Sequence, residues 1–196
     1  MAPEQIVYKK TPQVDLKLHV FKPEGTPSCA VVLFMCGGWK GFDATVVYAQ
    51  AEYLSTRGAY AAVAEVRVIQ HEIKREESVT DAKSAIRWVR SRADELGFPA
   101  DKVASFGGSA SAWVSLCAAI LKEFDEPDED LSISGGADLL CCPNPATFPD
   151  LQKTVNPQEK IDWYLERVGG EEMYKRLSPF YNIRPGLPPV LVLTGD

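Results

Sequence analysis

Two short glycine-rich runs carry most of the chemical meaning in this 196-residue chain. The first is Gly107-Gly108-Ser109-Ala110-Ser111, which follows an apolar stretch at 103–106 and leads at once into a helical pattern. A strand that turns abruptly into a helix puts the serine in a strained backbone conformation, and the chain folds back so closely that its neighbours must be small. The Ser109 hydroxyl then stands clear at a sheet edge, where it can attack a carbonyl carbon. The N–H of Ala110, at the start of the helix, is a candidate donor to the oxyanion that such an attack creates. The plainer alternative is a helix N-cap serine after a Gly-Gly turn; the strand–turn–helix context favours the nucleophile.

The second run, Cys36-Gly37-Gly38-Trp39-Lys40-Gly41, follows the apolar stretch 30–35. Glycines allow backbone N–H groups to approach a substrate oxygen closely. Gly37 and Gly38 are the candidate oxyanion donors, with the Cys36 N–H as a third, and Trp39 is a candidate wall of an acyl pocket. The competing reading is a tight turn with a core tryptophan. A nucleophilic serine also needs a base, and the chain holds two histidines, His19 and His71. His19 falls on the polar side of a strand pattern and reads as exposed or structural. His71 lies in a loop, Arg67-Val68-Ile69-Gln70-His71, that opens on the same edge as Ser109, and is a distant candidate for the base.

Other polar groups have bland readings. Glu72, Lys74, Arg75, Glu76 and Glu77 form a mixed run expected of a solvated loop. Glu123, Asp125, Glu126, Asp128, Glu129 and Asp130 lack the glycine and spacing of a calcium loop and predict a solvated turn. Asn144 sits in a proline-rich turn that could touch substrate, and Asp138 is expected to be satisfied locally. Cys29, Cys36, Cys117, Cys141 and Cys142 match no zinc spacing and lie mostly in apolar runs, so no metal and no disulfide framework is expected. A net charge of −6 opposes binding to phosphate backbones, so nucleic acid is not an expected partner. Apolar residues make up 45% without a run of membrane-spanning length, and the first residues lack a leader's basic start and apolar stretch. No membrane association is expected, and the expected compartment is the cytoplasm.

The elements that must position these runs alternate. Val14, Leu16, Leu18 and Val20 read as a half-exposed strand, and 30–35, 59–64, 103–106, 137–141 and 189–194 as further strands. Helices are predicted over 45–57, 78–96, 109–124 and 160–177, the last broken at Gly169-Gly170. Ser78 is the expected cap of the second, with Asp81 as its capping-box partner. This alternation predicts an α/β fold, a mostly parallel central sheet with helices on both faces, and chemistry at the carboxyl ends of the strands.

The chain resembles the esterase/lipase branch of the α/β-hydrolase superfamily, including bacterial acetyl-xylan and feruloyl-type carbohydrate esterases. Val31-Val32-Leu33-Phe34-Met35-Cys36-Gly37-Gly38-Trp39 resembles that family's apolar strand followed by His-Gly-Gly-Gly-Trp. Asp81 to Arg90 resembles the helix before the nucleophile strand, Phe106 to Ala110 the nucleophile turn, and Ser178-Pro179-Phe180 with Pro188 to Gly195 the strand that delivers the triad acid. Departures are Met35-Cys36 for His-Gly, and Ser111-Ala112-Trp113 where glycines are usual. The resemblance implies a single domain over 1–196, incomplete at the C-terminus and lacking the last strand and helices. It places the acid and base of the triad beyond residue 196, so Asp196 is not the acid and the chain by itself is inactive or very weak. It implies a small ester or acylated carbohydrate as substrate and no cofactor. The alternative is a hydrolase scaffold that binds a ligand or partner without catalysis.

Overall fold

The computed structural model describes residues 2–147, 151 and 158–195. The strands are β1 (Glu4–Lys10), β2 (Asp15–Phe21), β3 (Cys29–Phe34), β4 (Ala59–Ala64), β5 (Val103–Gly107), β6 (Leu139–Pro143) and β7 (Val190–Leu193). The helices are α1 (Tyr48–Thr56), α2 (Arg75–Arg90), α3 (Ala93–Leu96), α4 (Ala110–Ile120), α5 (Gln158–Val168) and α6 (Glu171–Leu177). Among the described residues the strands form one sheet in the order β1-β2-β4-β3-β5-β6-β7. β1, β2 and β4 pair antiparallel, and every pairing from β4 to β7 is parallel.

β3, β4 and β5 are covered on both sides, which is why they read as near-continuous apolar runs. Leu18, Val32, Phe34 and Ala62 face α2 and α4 across one core. Phe21, Val31, Leu33, Ala61 and Val63 face α1 across the other. Phe34 at the end of β3 pairs in register with Gly107 at the end of β5, so both glycine-rich runs leave the same sheet edge side by side. No helix among the described residues is long and apolar enough to cross a membrane.

Several elements differ from expectation. β1 was not predicted, because its Glu, Gln and Lys mask the alternation of Ile6 and Tyr8 toward the core. β2 is mostly buried rather than half-exposed, since β1 and β4 flank it and α1 lies against it. α2 begins at Arg75, three residues before the expected cap: Glu77 reaches back to the Lys74 N–H at 2.9 Å. Ser78 instead donates to the Arg67 carbonyl, and Asp81, fully buried, binds Arg67 and Lys9.

The acidic stretch after α4 is solvated at Glu123, Asp128 and Asp130, as expected, but it is also anchored by ion pairs. Asp125 bonds Lys83 and Arg87, Glu129 bonds Arg87, Glu126 bonds Lys9 and Glu123 bonds Arg176. Burial raises the Asp125 carboxyl, but the hydrogen bonds and charges of Lys83 and Arg87 outweigh it and hold its pKa below the usual value.

Candidate active site

Ser109 lies between β5 and α4 with φ 53° and ψ −120°, a conformation that residues bearing a Cβ rarely adopt. Two hydrogen bonds from the end of β6 and the turn after it hold it there: its N–H donates to the Pro143 carbonyl at 3.1 Å, and its carbonyl accepts from the Ala146 N–H at 3.0 Å. The chain reverses so tightly that a Cβ on Gly107 would lie 2.6 Å from the Ser111 carbonyl carbon, with the carbonyl oxygen closer still. Gly108 is less constrained; a Cβ there would stand 3.6 Å from the Pro143 oxygen. The Ser109 side chain is exposed. No side chain among the described residues hydrogen-bonds its hydroxyl.

The facing loop is shaped by its own backbone. The Trp39 N–H donates to Cys36, the Lys40 N–H to Gly37 and the Gly37 N–H to Gly41 at 3.0 Å, while Gly38 and Trp39 both have positive φ. A further bond ties the loop to the elbow: the Cys36 N–H donates to Ser111 Oγ at 2.8 Å, and both residues are 1% exposed. Burial pushes the Cys36 thiol up to about 11, against the Ser111 hydrogen bond and the Arg75 charge, so it is neutral at physiological pH.

These bonds revise the expected set of oxyanion donors. The amides of Gly37 and Cys36 are engaged with Gly41 and Ser111. Those of Gly38 and Ala110 have no partner among the described residues. Trp39 is also corrected. It is 5% exposed, packed edge-on against Trp113 with ring centroids 5.5 Å apart, so it is a core support of the loop rather than the wall of an open pocket.

The histidines are committed elsewhere. His19 is buried, with Glu65 at 2.9 Å on Nε2 and Tyr48 at 2.7 Å on Nδ1, and joins β2 to α1 and to the residue that follows β4. His71 Nδ1 accepts the Val68 N–H at 3.0 Å within its own loop. Asn144 accepts from Gly195 and donates its N–H to Leu193, so it ties the ends of β6 and β7 together. Asp138 is satisfied, though not locally: it accepts from the Val103 N–H and pairs with Arg90, 35 and 48 positions away in the chain. Asp196 lies outside the described residues. The residues missed in the sequence are Ser111, which showed only as a departure from glycine, and Arg75, hidden in a charge run. Arg75 is buried over the Trp39 ring, its guanidinium carbon 4.3 Å from the centroid.

The sequence family described as BD-FAE matches residues 16–196. The chain belongs to the BD-FAE family. Its fold is that of the α/β-hydrolase esterases. Thermogutta terrifontis esterase 2 phosphonylated by sarin superposes with a TM-score of 0.88 at 36% identity, over 97% of this chain and 71% of that one. The butyrate-bound form of the same organism's esterase gives 0.85 at 37% identity, over 97% and 71%. Esterase LipC of Mycobacterium tuberculosis is 25% identical over 98% of this chain. The chain spans 50% of that curated relative's length. Within this BD-FAE chain, the described residues hold an elbow serine and two open amides at one sheet edge, with no imidazole bonded to the serine.

Proposed function

We propose that this chain carries the nucleophile and oxyanion half of a serine carboxylesterase that cleaves acyl or acetyl esters. The observation that carries this reading is the backbone of Ser109, held at φ 53° by bonds to the end of β6 and the turn after it, with the residue exposed. Ser109 Oγ attacks the ester carbonyl carbon and gives its proton to a base. The oxyanion that forms is held by the N–H groups of Gly38 and Ala110. Collapse expels the alcohol, which takes the proton, and water then cleaves the acyl-serine in the reverse sense and restores the hydroxyl.

The base comes from residues outside 1–196, because both histidines of this sequence are bonded elsewhere, and the family resemblance puts the acid there too. The 196 residues alone therefore turn esters over slowly, by oxyanion stabilisation and binding. The phosphonylated and butyrate-bound forms of the Thermogutta terrifontis esterase support short acyl esters as the substrate class. The resemblance to carbohydrate esterases supports a decorated plant polysaccharide as the alcohol. The free cysteines suit a reducing cytoplasm.

A fluorophosphonate probe tests the nucleophile. Labelling of the full-length protein, lost in Ser109→Ala together with hydrolysis of short-chain 4-nitrophenyl esters, is the expected outcome; labelling unchanged in that variant overturns the assignment. A second reading, a binding module without catalysis, is favoured by the lack, among the described residues, of any side-chain bond to the Ser109 hydroxyl. It prevails if the full-length protein neither labels nor turns over ester.

A further inference from the structure

Three arginines of this chain are comparably buried, and two of them find carboxylates. Arg67 bonds Asp81 and Glu77, and Arg87 bonds Asp125 and Glu129. Arg75 is 4% exposed and has none: its Nε and Nη1 are sealed from solvent without a hydrogen-bond partner among the described residues. The Trp39 face beneath it offers a quadrupole to the cation but no acceptor for its N–H groups. A guanidinium taken out of water without an acceptor is costly, and an anion is what would offset that cost.

Arg75 lines a cleft of about 380 Å³ together with Ile69, Ile73, Glu166 and Arg167. Two cations therefore face one space. Burial and then the charge of Arg167 pull the Arg75 pKa below its ordinary value, the direction expected of a site that lacks its counter-charge. Arg75 is also the first residue of α2, so the positive end of that helix adds to the field. Among the described residues lining the cleft Glu166 is the one carboxylate; it is 82% exposed and 3.8 Å from Arg167, a solvated neighbour that makes no bond to Arg75. Glu77 is engaged by Arg67 and the Lys74 N–H.

We propose that the cleft between α5 and the start of α2 is an oxyanion-binding site, built on Arg75 and Arg167, that receives the carboxylate or phosphate of an acidic ester. The assignment to a substrate rests on the ester-hydrolase reading above. Its location supports that role: Arg75 stacks on Trp39, the residue that follows the open amide of Gly38. The acidic group of the substrate would thus be held beside the loop that stabilises its reacting carbonyl.

Two measurements separate the site from the reaction. In the first, the Ser109→Ala chain is titrated by calorimetry with monomethyl succinate and, separately, with inorganic phosphate at fixed ionic strength. Saturable binding of either anion, weakened at least tenfold in Arg75→Met and in Arg167→Met and partly kept in Arg75→Lys, is expected; the better ligand identifies the anion. No saturable binding, or binding equal in all variants, overturns the site and leaves Arg75 with its tryptophan contact alone. Arg167→Met alters a partly exposed side chain, so its result stands even if Arg75→Met fails to fold.

In the second, full-length protein is assayed on monomethyl succinate and methyl acetate. The ratio of kcat/KM for the anionic ester over the neutral one should fall at least tenfold in Arg167→Met. An unchanged ratio overturns the substrate assignment. Turnover of neither ester refutes the hydrolase reading and the substrate assignment with it, while the calorimetric result still decides the anion site.

Discussion

A serine hydroxyl becomes a nucleophile only when its backbone, its base and its oxyanion donors are placed together. The spacing of Gly107, Ser109 and Ser111 was readable because the elbow is local: each residue constrains the next through one sharp turn. Gly107 should therefore be far less tolerant than Gly108. Gly107→Ala is expected to cost about 1–3 kcal/mol in urea denaturation, as overpacked sites do, whereas Gly108→Ala should stay near neutral. The bond between Cys36 and Ser111 was not readable, since its partners are 75 residues apart and meet only because β3 and β5 are neighbours. Removing that hydroxyl leaves a buried N–H unsatisfied and frees the loop. Ser111→Ala should lose about 1–3 kcal/mol of stability. If Gly38 is a donor, kcat for a short-chain ester should also drop about 10- to 100-fold with little change in KM, as misplaced catalytic groups do. A purely structural bond would leave kcat intact below the melting temperature.

At the scale of elements, the parallel core was legible and its polar fastenings were not. β3, β4 and β5 announce themselves as apolar runs because both of their faces are covered. The start of α2 was misplaced because Ser78 and Asp81 resemble a cap by spacing, while tertiary partners, Arg67 and Lys9, claim them both. The anchoring of the acidic turn was hidden for the same reason: Lys83 and Arg87 lie on α2, some forty positions back in the chain, Lys9 on β1 and Arg176 on α6. The turn should make the fold acid-sensitive. Asp125 has a folded pKa below the ordinary 3.8, so its contribution is present above that value and is lost as pH falls through the lower folded one. Urea midpoints should therefore decline below pH ~4, and Asp125→Asn should flatten that part of the profile. A decline of equal size in the variant would assign the acid sensitivity to other carboxylates.

For the molecule as a whole, the sheet is unequally protected. Val190, Leu191, Val192 and Leu193 are all exposed, and among the described residues β7 pairs with β6 alone. Beside it, Tyr53, Phe106, Leu139 and Cys141 line an apolar groove of about 560 Å³ on the α1 side of the sheet. A free strand edge with apolar faces is a template for pairing with another chain. The 196-residue chain should associate as its concentration rises, by analytical ultracentrifugation, and Leu191→Lys with Val192→Lys should restore the monomer. A monomer at all concentrations would show that the edge is already satisfied. The sheet order was legible only in part, because β1 hides behind polar residues and its antiparallel pairing with β2 leaves no crossover helix to signal it.

The left-handed twist at residue 109 has an evolutionary corollary. A backbone angle of this kind costs about 1–3 kcal/mol when a Cβ is present, and glycine relieves it at an entropic cost of about 1 kcal/mol. Ser109→Gly should therefore melt at a higher temperature than the natural protein, while Ser109→Ala, which keeps the Cβ, should not. A chain under selection for thermal robustness alone would drift toward glycine there; a lineage that keeps serine is trading durability for a hydroxyl.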